Sequence, residues 1–154
     1  MNGLEHITQA FQQAKDEKRA ALMPYFTLGY PTPQASLAVV EALARSGADL
    51  IELGVPFSDP LAERPTIQHS TQVALEQGIT VALGLEMARE LRRRGVSQPL
   101  LLMGYMNPLL AYGAERIVAE AASAGAHGLI LPDMPVEEAE QVEALCRQYG
   151  LALL

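Results

Sequence analysis

The strongest constraint on the fold is a repeating unit in which a short apolar run is followed by a stretch with helical periodicity that ends at a glycine. The apolar runs predict strands at residues 20–28, 49–54, 99–104, 128–131 and 151–154. The periodic stretches predict helices at 32–47, 66–77, 80–94, 114–124 and 136–149. An opening helix places four apolar residues on one face, Leu4, Ile7, Phe11 and Ala14. Strands that alternate with helices predict an α/β fold with a parallel sheet and right-handed crossovers.

Two architectures are built on such a sheet, a doubly wound open sheet and a (β/α)8 barrel. The residues after the first predicted strand, Thr27-Leu28-Gly29-Tyr30-Pro31, contain no Gly-x-Gly-x-x-Gly turn. The absence of that turn argues against the dinucleotide-binding form of the open sheet. In both architectures the functional side chains lie at the carboxyl ends of the strands and in the loops that follow them.

The second predicted strand carries a carboxylate, Glu52, between Ile51 and Leu53. A carboxylate in an apolar strand must be paired, protonated or catalytic, because burying it unpaired is costly. The loop after this strand holds two more acids, Asp59 and Glu63. Two carboxylates can divide acid and base roles when their surroundings separate their pKa values. We therefore expect a site at the carboxyl end of this strand.

Charge and composition exclude several classes of partner. The formal net charge of −7 argues against nucleic acid and anionic membranes, which bind basic patches. No apolar run approaches the ~20 residues that span a bilayer. A single cysteine, Cys146, and an N-terminus without a signal pattern favour the cytoplasm. His69 and His127 do not have the spacing of metal ligands, so we predict no metal site. The basic run at residues 92–94 ends a predicted helix, and we expect it to offset the dipole of that helix.

Residues 52–62 read Glu-Leu-Gly-Val-Pro-Phe-Ser-Asp-Pro-Leu-Ala, and this run resembles the signature of tryptophan synthase alpha subunits. The likeness continues through residues 65–68 and extends to 24–31, 103–108 and 131–138. The resemblance implies a (β/α)8 TIM barrel, of which residues 1–154 would be one incomplete domain with the first four to five β/α units. It implies a lyase that cleaves indole-3-glycerol phosphate to indole and glyceraldehyde 3-phosphate. It also implies a beta subunit partner that carries pyridoxal phosphate, with no cofactor in this chain.

The resemblance assigns roles to individual residues. Glu52 matches the principal acid/base of the family, and Glu63 stands at the position of its second catalytic carboxylate. The residues that would line the indole pocket are Tyr25, Tyr105 and Ile130. The residues that would face the beta subunit are Pro56 and Asp59. Asp133 is expected either to join that contact or to cap the fourth helix of the repeat.

This chain departs from the family pattern at Glu63-Arg64, where members usually have Asp-Gly. The extra methylene of Glu63 displaces the carboxyl group by on the order of 1 Å, which can cost about a hundredfold in rate. Arg64 can pair with Glu63 and keep it ionised, and its place before Pro65 restricts its backbone. We therefore expect impaired or absent activity.

Length is the second departure, because a barrel of this kind needs about 250 residues. The chain ends inside the fifth strand, so the loops after strands seven and eight, which commonly bind phosphate, lie outside it. Open strand edges predict self-association or a partner that covers them. An alternative function therefore stays open, a non-catalytic partial-barrel module that binds a beta-type partner or itself. Another phosphate-handling barrel enzyme is a third possibility, against which the loop match argues.

Overall fold

A computed structural model describes all residues 1–154. The strands are β1 (Tyr25–Thr27), β2 (Ile51–Gly54), β3 (Leu100–Met103), β4 (Gly128–Ile130) and β5 (Ala152–Leu153). The helices are α1 (Gly3–Asp16), α2 (Pro33–Arg45), α3 (Pro65–Glu76), α4 (Val81–Arg93), α5 (Met106–Tyr112), α6 (Ala114–Ser123) and α7 (Ala139–Tyr149). A 3-10 turn, Val136–Glu138, precedes α7.

The order of the strands decides between the two architectures that the sequence left open. All neighbours are parallel, and the spatial order β1-β2-β3-β4-β5 follows the order in the chain. A doubly wound sheet reverses direction at a switch point, which puts helices on both faces. Sequential order with right-handed crossovers instead puts the crossover helices on one face. The sheet is therefore the first five strands of a (β/α)8 barrel, and the prediction of a partial barrel is confirmed.

The two faces of the sheet are packed differently. Ile51, Leu53 and Leu100 point to one face and join helix residues in a core of 26 buried side chains. The opposite face, called here the inner face, holds a small cluster of Ile7, Leu50, Leu101 and Ala152. Because side chains alternate along a strand, Glu52 shares the inner face with Leu50. Glu52 thus lies on the side that becomes the interior of a closed barrel.

Helix α1 lies against the inner face of the sheet. Fewer of its apolar residues are buried than the apolar stripe in its sequence suggests. Its first turn is closed by a capping box of Asn2 and Glu5, and Ile7 and Ala14 are buried. Two other residues of the predicted stripe, Leu4 and Phe11, are 61% and 50% exposed. Of the four residues predicted to share one face of this helix, only Ile7 and Ala14 are buried, and Ile7 joins the inner cluster of the sheet.

Strand β1 is much shorter than the apolar run that predicted it. Before Tyr25, the carbonyl oxygens of Leu22 and Pro24 accept hydrogen bonds from the segment that leads into β2. Pro24 has no N–H and so cannot donate a hydrogen bond in the ladder. Asp49, predicted to begin the second strand, binds Arg19 through two bonds of 2.6 and 2.7 Å instead. Hydrogen bonds from Arg19 and then from the Leu22 amide lower the pKa of Asp49 to about 2. An ion pair therefore supports the backbone hydrogen bonds that lead into both strands.

Helix ends follow the predicted signals at several places. Thr32 and Thr80 cap α2 and α4 through their side-chain oxygens. The short helix α5 was not predicted, because Pro108 falls inside its first turn, a position that tolerates proline but also signals a loop. Cys146 is buried in the core, as its apolar neighbours indicated.

The basic run at the end of α4 does more than oppose a helix dipole. Arg92 is directed inward and donates hydrogen bonds to the carbonyl oxygens of Val96, Gln98 and Gly125 at 2.7–2.9 Å. Its Nη2 also lies 2.8 Å from Nδ1 of His127. Arg92 therefore ties the loops that lead into β3 and β4.

Candidate functional site

Four side chains singled out from the sequence meet at the carboxyl end of β2. Tyr25 and Glu52 are register partners on adjacent strands. Glu63 comes from the loop after β2, and Tyr105 from the residue before α5. They are close enough that charge on Glu63 acts on the ionisation of the other three. The parallel sheet brings them together because the carboxyl ends of its strands share one edge.

Glu52 has the ionisation expected of a strand carboxylate. Burial, and second the nearby charge of Glu63, raise the pKa of the half-buried Glu52 carboxyl above its ordinary value. Glu52 forms no ion pair, so no neighbouring cation favours its negative charge. A carboxyl group that stays protonated at higher pH can serve as a proton donor.

Glu63 is held by Tyr105. The Tyr105 hydroxyl donates to Oε1 of Glu63 at 3.5 Å and accepts from the Ala62 amide at 3.3 Å. The Tyr105 ring is only 3% exposed and lies 5.5 Å from the ring of Phe57, centroid to centroid. Tyr105 is therefore a buried anchor under loop 55–64, whereas the sequence predicted it only as part of a pocket wall.

The expected pairing of Arg64 with Glu63 was wrong. Arg64 is exposed and forms no ion pair with any residue of the chain. It occupies the N-cap of α3 with extended backbone angles (φ −90°, ψ 167°), as the residue before Pro65 requires. The Glu63 carboxylate interacts with a neutral hydroxyl, so its charge is not neutralised by its neighbour.

Tyr25 extends over the neighbouring strand. Its hydroxyl lies against the Cα of Gly54, where any Cβ would overlap it. Burial raises the pKa of Tyr25 to about 12, with smaller contributions from the charges of Glu63 and Glu52. The Thr27 hydroxyl lies 3.4 Å from that of Tyr25, and 2.8 Å from that of Ser70 on α3. Gly54, Thr27 and Ser70 were not predicted as site residues.

The remaining predicted site residues are Ile130, Pro56 and Asp59, and each has surroundings of its own. Ile130 ends β4 and packs beside the inner cluster. Pro56 is buried inside the chain, whereas Asp59 is exposed and accepts a 2.6 Å hydrogen bond from the Ser58 hydroxyl. Of the two residues predicted to face a partner, only Asp59 presents its side chain to solvent. Their interface role stays a prediction.

Asp133 caps a helix, but not the one expected. Its carboxylate accepts from the amide of Met106, with 3.0 and 3.2 Å to its two oxygens. Met106 is the first residue of α5, so Asp133 places negative charge at the positive end of that helix. The contact joins the loop after β4 to the loop after β3, and so fixes the backbone next to Tyr105.

Together, Glu52 on the inner face, Glu63 on the loop after β2 and the sequential parallel strands define a partial (β/α)8 barrel with a candidate acid/base site at its carboxyl end. A family model for the tryptophan synthase alpha chain matches residues 11–154. The chain belongs to this family.

Individual relatives and solved structures support the same family assignment. The tryptophan synthase alpha chain of Chloroflexus aggregans is 49% identical over 151 residues, which is 98% of this chain and 57% of that protein. Tryptophan synthase of Saccharomyces cerevisiae is 47% identical over 150 residues, 97% of this chain and 21% of that protein. The crystal structure of tryptophan synthase subunit alpha from Legionella pneumophila superposes with a TM-score of 0.93 at 39% identity, covering 99% of this chain and 57% of that one. This chain thus spans little more than half the length of the alpha chains it matches.

Two further features bear on ligands and membranes. No three His, Cys, Asp or Glu side chains converge closely enough to hold a metal ion. None of the helices has the length and apolar character needed to cross a bilayer.

Proposed function

We propose that this chain supplies the acid/base carboxylates of a lyase that cleaves indole-3-glycerol phosphate to indole and glyceraldehyde 3-phosphate. The observation that carries the proposal is the meeting of Glu52 and Glu63 at the carboxyl end of β2, within a family that shares this fold. Active sites of such barrels lie at this end of the strands.

The chemistry needs a proton for the ring carbon that bears the side chain, stabilisation of positive charge on the ring, and removal of a proton from the substrate hydroxyl. Glu52, with its raised pKa, is suited to deliver the proton. The negative Glu63 would stabilise the charged ring. When the hydroxyl loses its proton, the carbon–carbon bond breaks, its electrons return to the ring, and an aldehyde forms. The proton taken up by the carboxylate restores the acid.

We propose in addition that the activity of residues 1–154 alone is impaired or absent. Glu63-Arg64 replaces the usual Asp-Gly, and the later strands and loops that commonly bind phosphate are not among these residues. Residues 1–154 would be one incomplete domain, the N-terminal part of the barrel.

The test compares indole release by this chain with release by a chimera that joins it to the rest of the Chloroflexus aggregans alpha chain. We expect release from the chimera and little or none from the chain alone. Glu52→Gln in the chimera should lower the rate by about a hundredfold or more. A fully active Glu52→Gln chimera would refute the acid/base role, and an active isolated chain would refute the need for the later loops.

For partners, we propose a cytoplasmic beta subunit that carries pyridoxal phosphate and contacts the exposed loop at Asp59. A second candidate function, an interaction module without catalysis, is favoured by exposed apolar side chains beside β5. These are Leu4, Val136 and Leu154, at 61%, 86% and 52% exposure. Sedimentation analysis of the chain alone and with a beta subunit distinguishes self-association from binding of the beta subunit. A chain that stays monomeric and does not bind the beta subunit would contradict both proposals.

A further inference from the structure

Helix α3 begins two residues after Glu63, and a side chain from its first turn reaches back to that residue. Nε2 of Gln68 donates a hydrogen bond of 3.0 Å to the carbonyl oxygen of Glu63. The N-cap residue of the helix, Arg64, makes no capping bond with its side chain, and Pro65 has no amide proton to offer. Gln68 is therefore the one side chain of α3 that forms a hydrogen bond with loop 55–64.

The three polar groups of Glu63 each have a different partner. Its amide donates to the carbonyl oxygen of Pro60 at 3.0 Å. Its carbonyl oxygen accepts from Gln68, and its carboxylate accepts from the Tyr105 hydroxyl at 3.5 Å. The contact with Tyr105 is the longest of the three and so the weakest. The direction in which the side chain leaves the backbone therefore depends on the two 3.0 Å bonds, one on each side of the Glu63 Cα.

The ionisation of Glu52 responds to the position of Glu63. Burial is the larger cause of the raised pKa of Glu52, and the charge of Glu63 is the second. The interaction of two charges weakens with distance, so movement of Glu63 away from β2 would let the pKa of Glu52 fall. The other titratable groups at this end of the sheet are Tyr25 and Tyr105. Both have a raised pKa, so both stay neutral while the carboxyl groups titrate.

We infer that Gln68 is a positioning residue, whose side-chain amide holds the backbone of Glu63 and so keeps the second carboxylate of the site at the carboxyl end of β2. The inference rests on the proposed function, because it concerns the same pair of carboxylates. It adds helix α3 to the determinants of the site, although α3 contributes no carboxylate.

The test is a carbon-13 NMR titration of Glu52 in the chain itself, without substrate, with its resonance identified by loss in Glu52→Gln. Gln68→Met keeps the length of an exposed side chain and removes its donor, so the variant should fold. The pKa of Glu52 should fall by about 0.3 or more, and exchange of the Glu63 amide should become about threefold faster or more. Gln68→Lys keeps a long side chain with N–H donors, and it should return the exchange of Glu63 to the parent rate.

Gln72→Met is the matched control, since it removes an amide donor one turn further along α3 that bonds to Glu76 and not to the loop. It should leave both the titration of Glu52 and the exchange of Glu63 unchanged. An unchanged or raised pKa of Glu52 in Gln68→Met, or an equal fall in Gln72→Met, would overturn the inference. Exchange as fast in Gln68→Lys as in Gln68→Met would also overturn it.

The proposed lyase reaction can fail without affecting this readout, because the titration uses no substrate. In a chimera that releases indole, Gln68→Met should lower kcat about threefold or more and leave KM nearly unchanged. A chimera that releases no indole, together with the expected titration in Gln68→Met, would count against the lyase and not against the role of Gln68.

Discussion

The hydroxyl of Tyr105 connects to the Glu63 carboxylate at 3.5 Å while it accepts from the amide of Ala62, the residue before Glu63. One buried side chain thus fixes both the backbone and the acid of the loop. This contact spans 42 residues of sequence and joins the loops after β2 and β3. It makes the position of Glu63 depend on α5, and through Asp133 on the loop after β4.

Tyr105→Phe should loosen this loop while leaving the ring in place against Phe57. The variant loses two hydrogen bonds that are worth about 1 kcal/mol each, so the fold should survive. Amide exchange at Ala62 should become faster, and indole release by the chimera should fall about tenfold or more. Tyr112→Phe, which removes a tyrosine hydroxyl bonded to Glu120 elsewhere, is the control and should change neither. Unchanged exchange at Ala62 would contradict the anchoring role.

Gly54→Ala should destabilise the protein because the added Cβ would overlap the Tyr25 hydroxyl and ring. Overpacking of this kind costs about 1–3 kcal/mol, which urea denaturation can measure. Gly104→Ala is a close control, because Gly104 follows β3 as Gly54 ends β2, and a Cβ added at Gly104 would meet no atom within 4 Å. Equal stability of the two variants would show that Tyr25 does not occupy the space above Gly54.

Acid should weaken the fold through His127. Burial, then the charge of Arg92, lowers the pKa of His127 to about 4, against about 6.5 in an unfolded chain. The unfolded state therefore binds more protons between these values, and the free energy of unfolding should fall as pH drops from 6.5 to 4. His127→Gln should flatten that dependence in urea titrations at several pH values, whereas His69→Gln, at an exposed position, should not. A wild-type stability that is flat over this range would refute the prediction.

Most of the fold could be predicted from the sequence because most elements, α5 excepted, carry their own local signal. Thr32 and Thr80 cap helices through hydrogen bonds within three residues, which do not depend on the tertiary structure. The apolar runs suit the strands of any buried parallel sheet. The length of β1 could not be predicted, because it depends on which of its residues form backbone hydrogen bonds with β2. Pro24 lacks the N–H that would extend it.

The site was predictable only in part, for a related reason. Glu52 was identifiable because a carboxylate in an apolar run is costly to bury. Ser70 looks like any small residue on a buried helix face, and its partner Thr27 is 43 residues away. Asp133 carries a capping signal, but the helix that it caps begins 27 residues earlier. Such contacts come from the packing of α3 and α5 on the sheet, which local patterns do not encode.

Restoring the usual loop residues should raise activity. In the chimera, Glu63→Asp with Arg64→Gly shortens the acid by one methylene and removes an exposed cation that forms no ion pair. Since misplacing a catalytic group by about 1 Å can cost about a hundredfold, we expect indole release to rise about 10- to 100-fold. Arg64→Gly alone should have a smaller effect, because Arg64 forms no ion pair with the Glu63 carboxylate. A double variant no faster than the parent chimera would show that Glu63, held by Tyr105, already occupies a productive position.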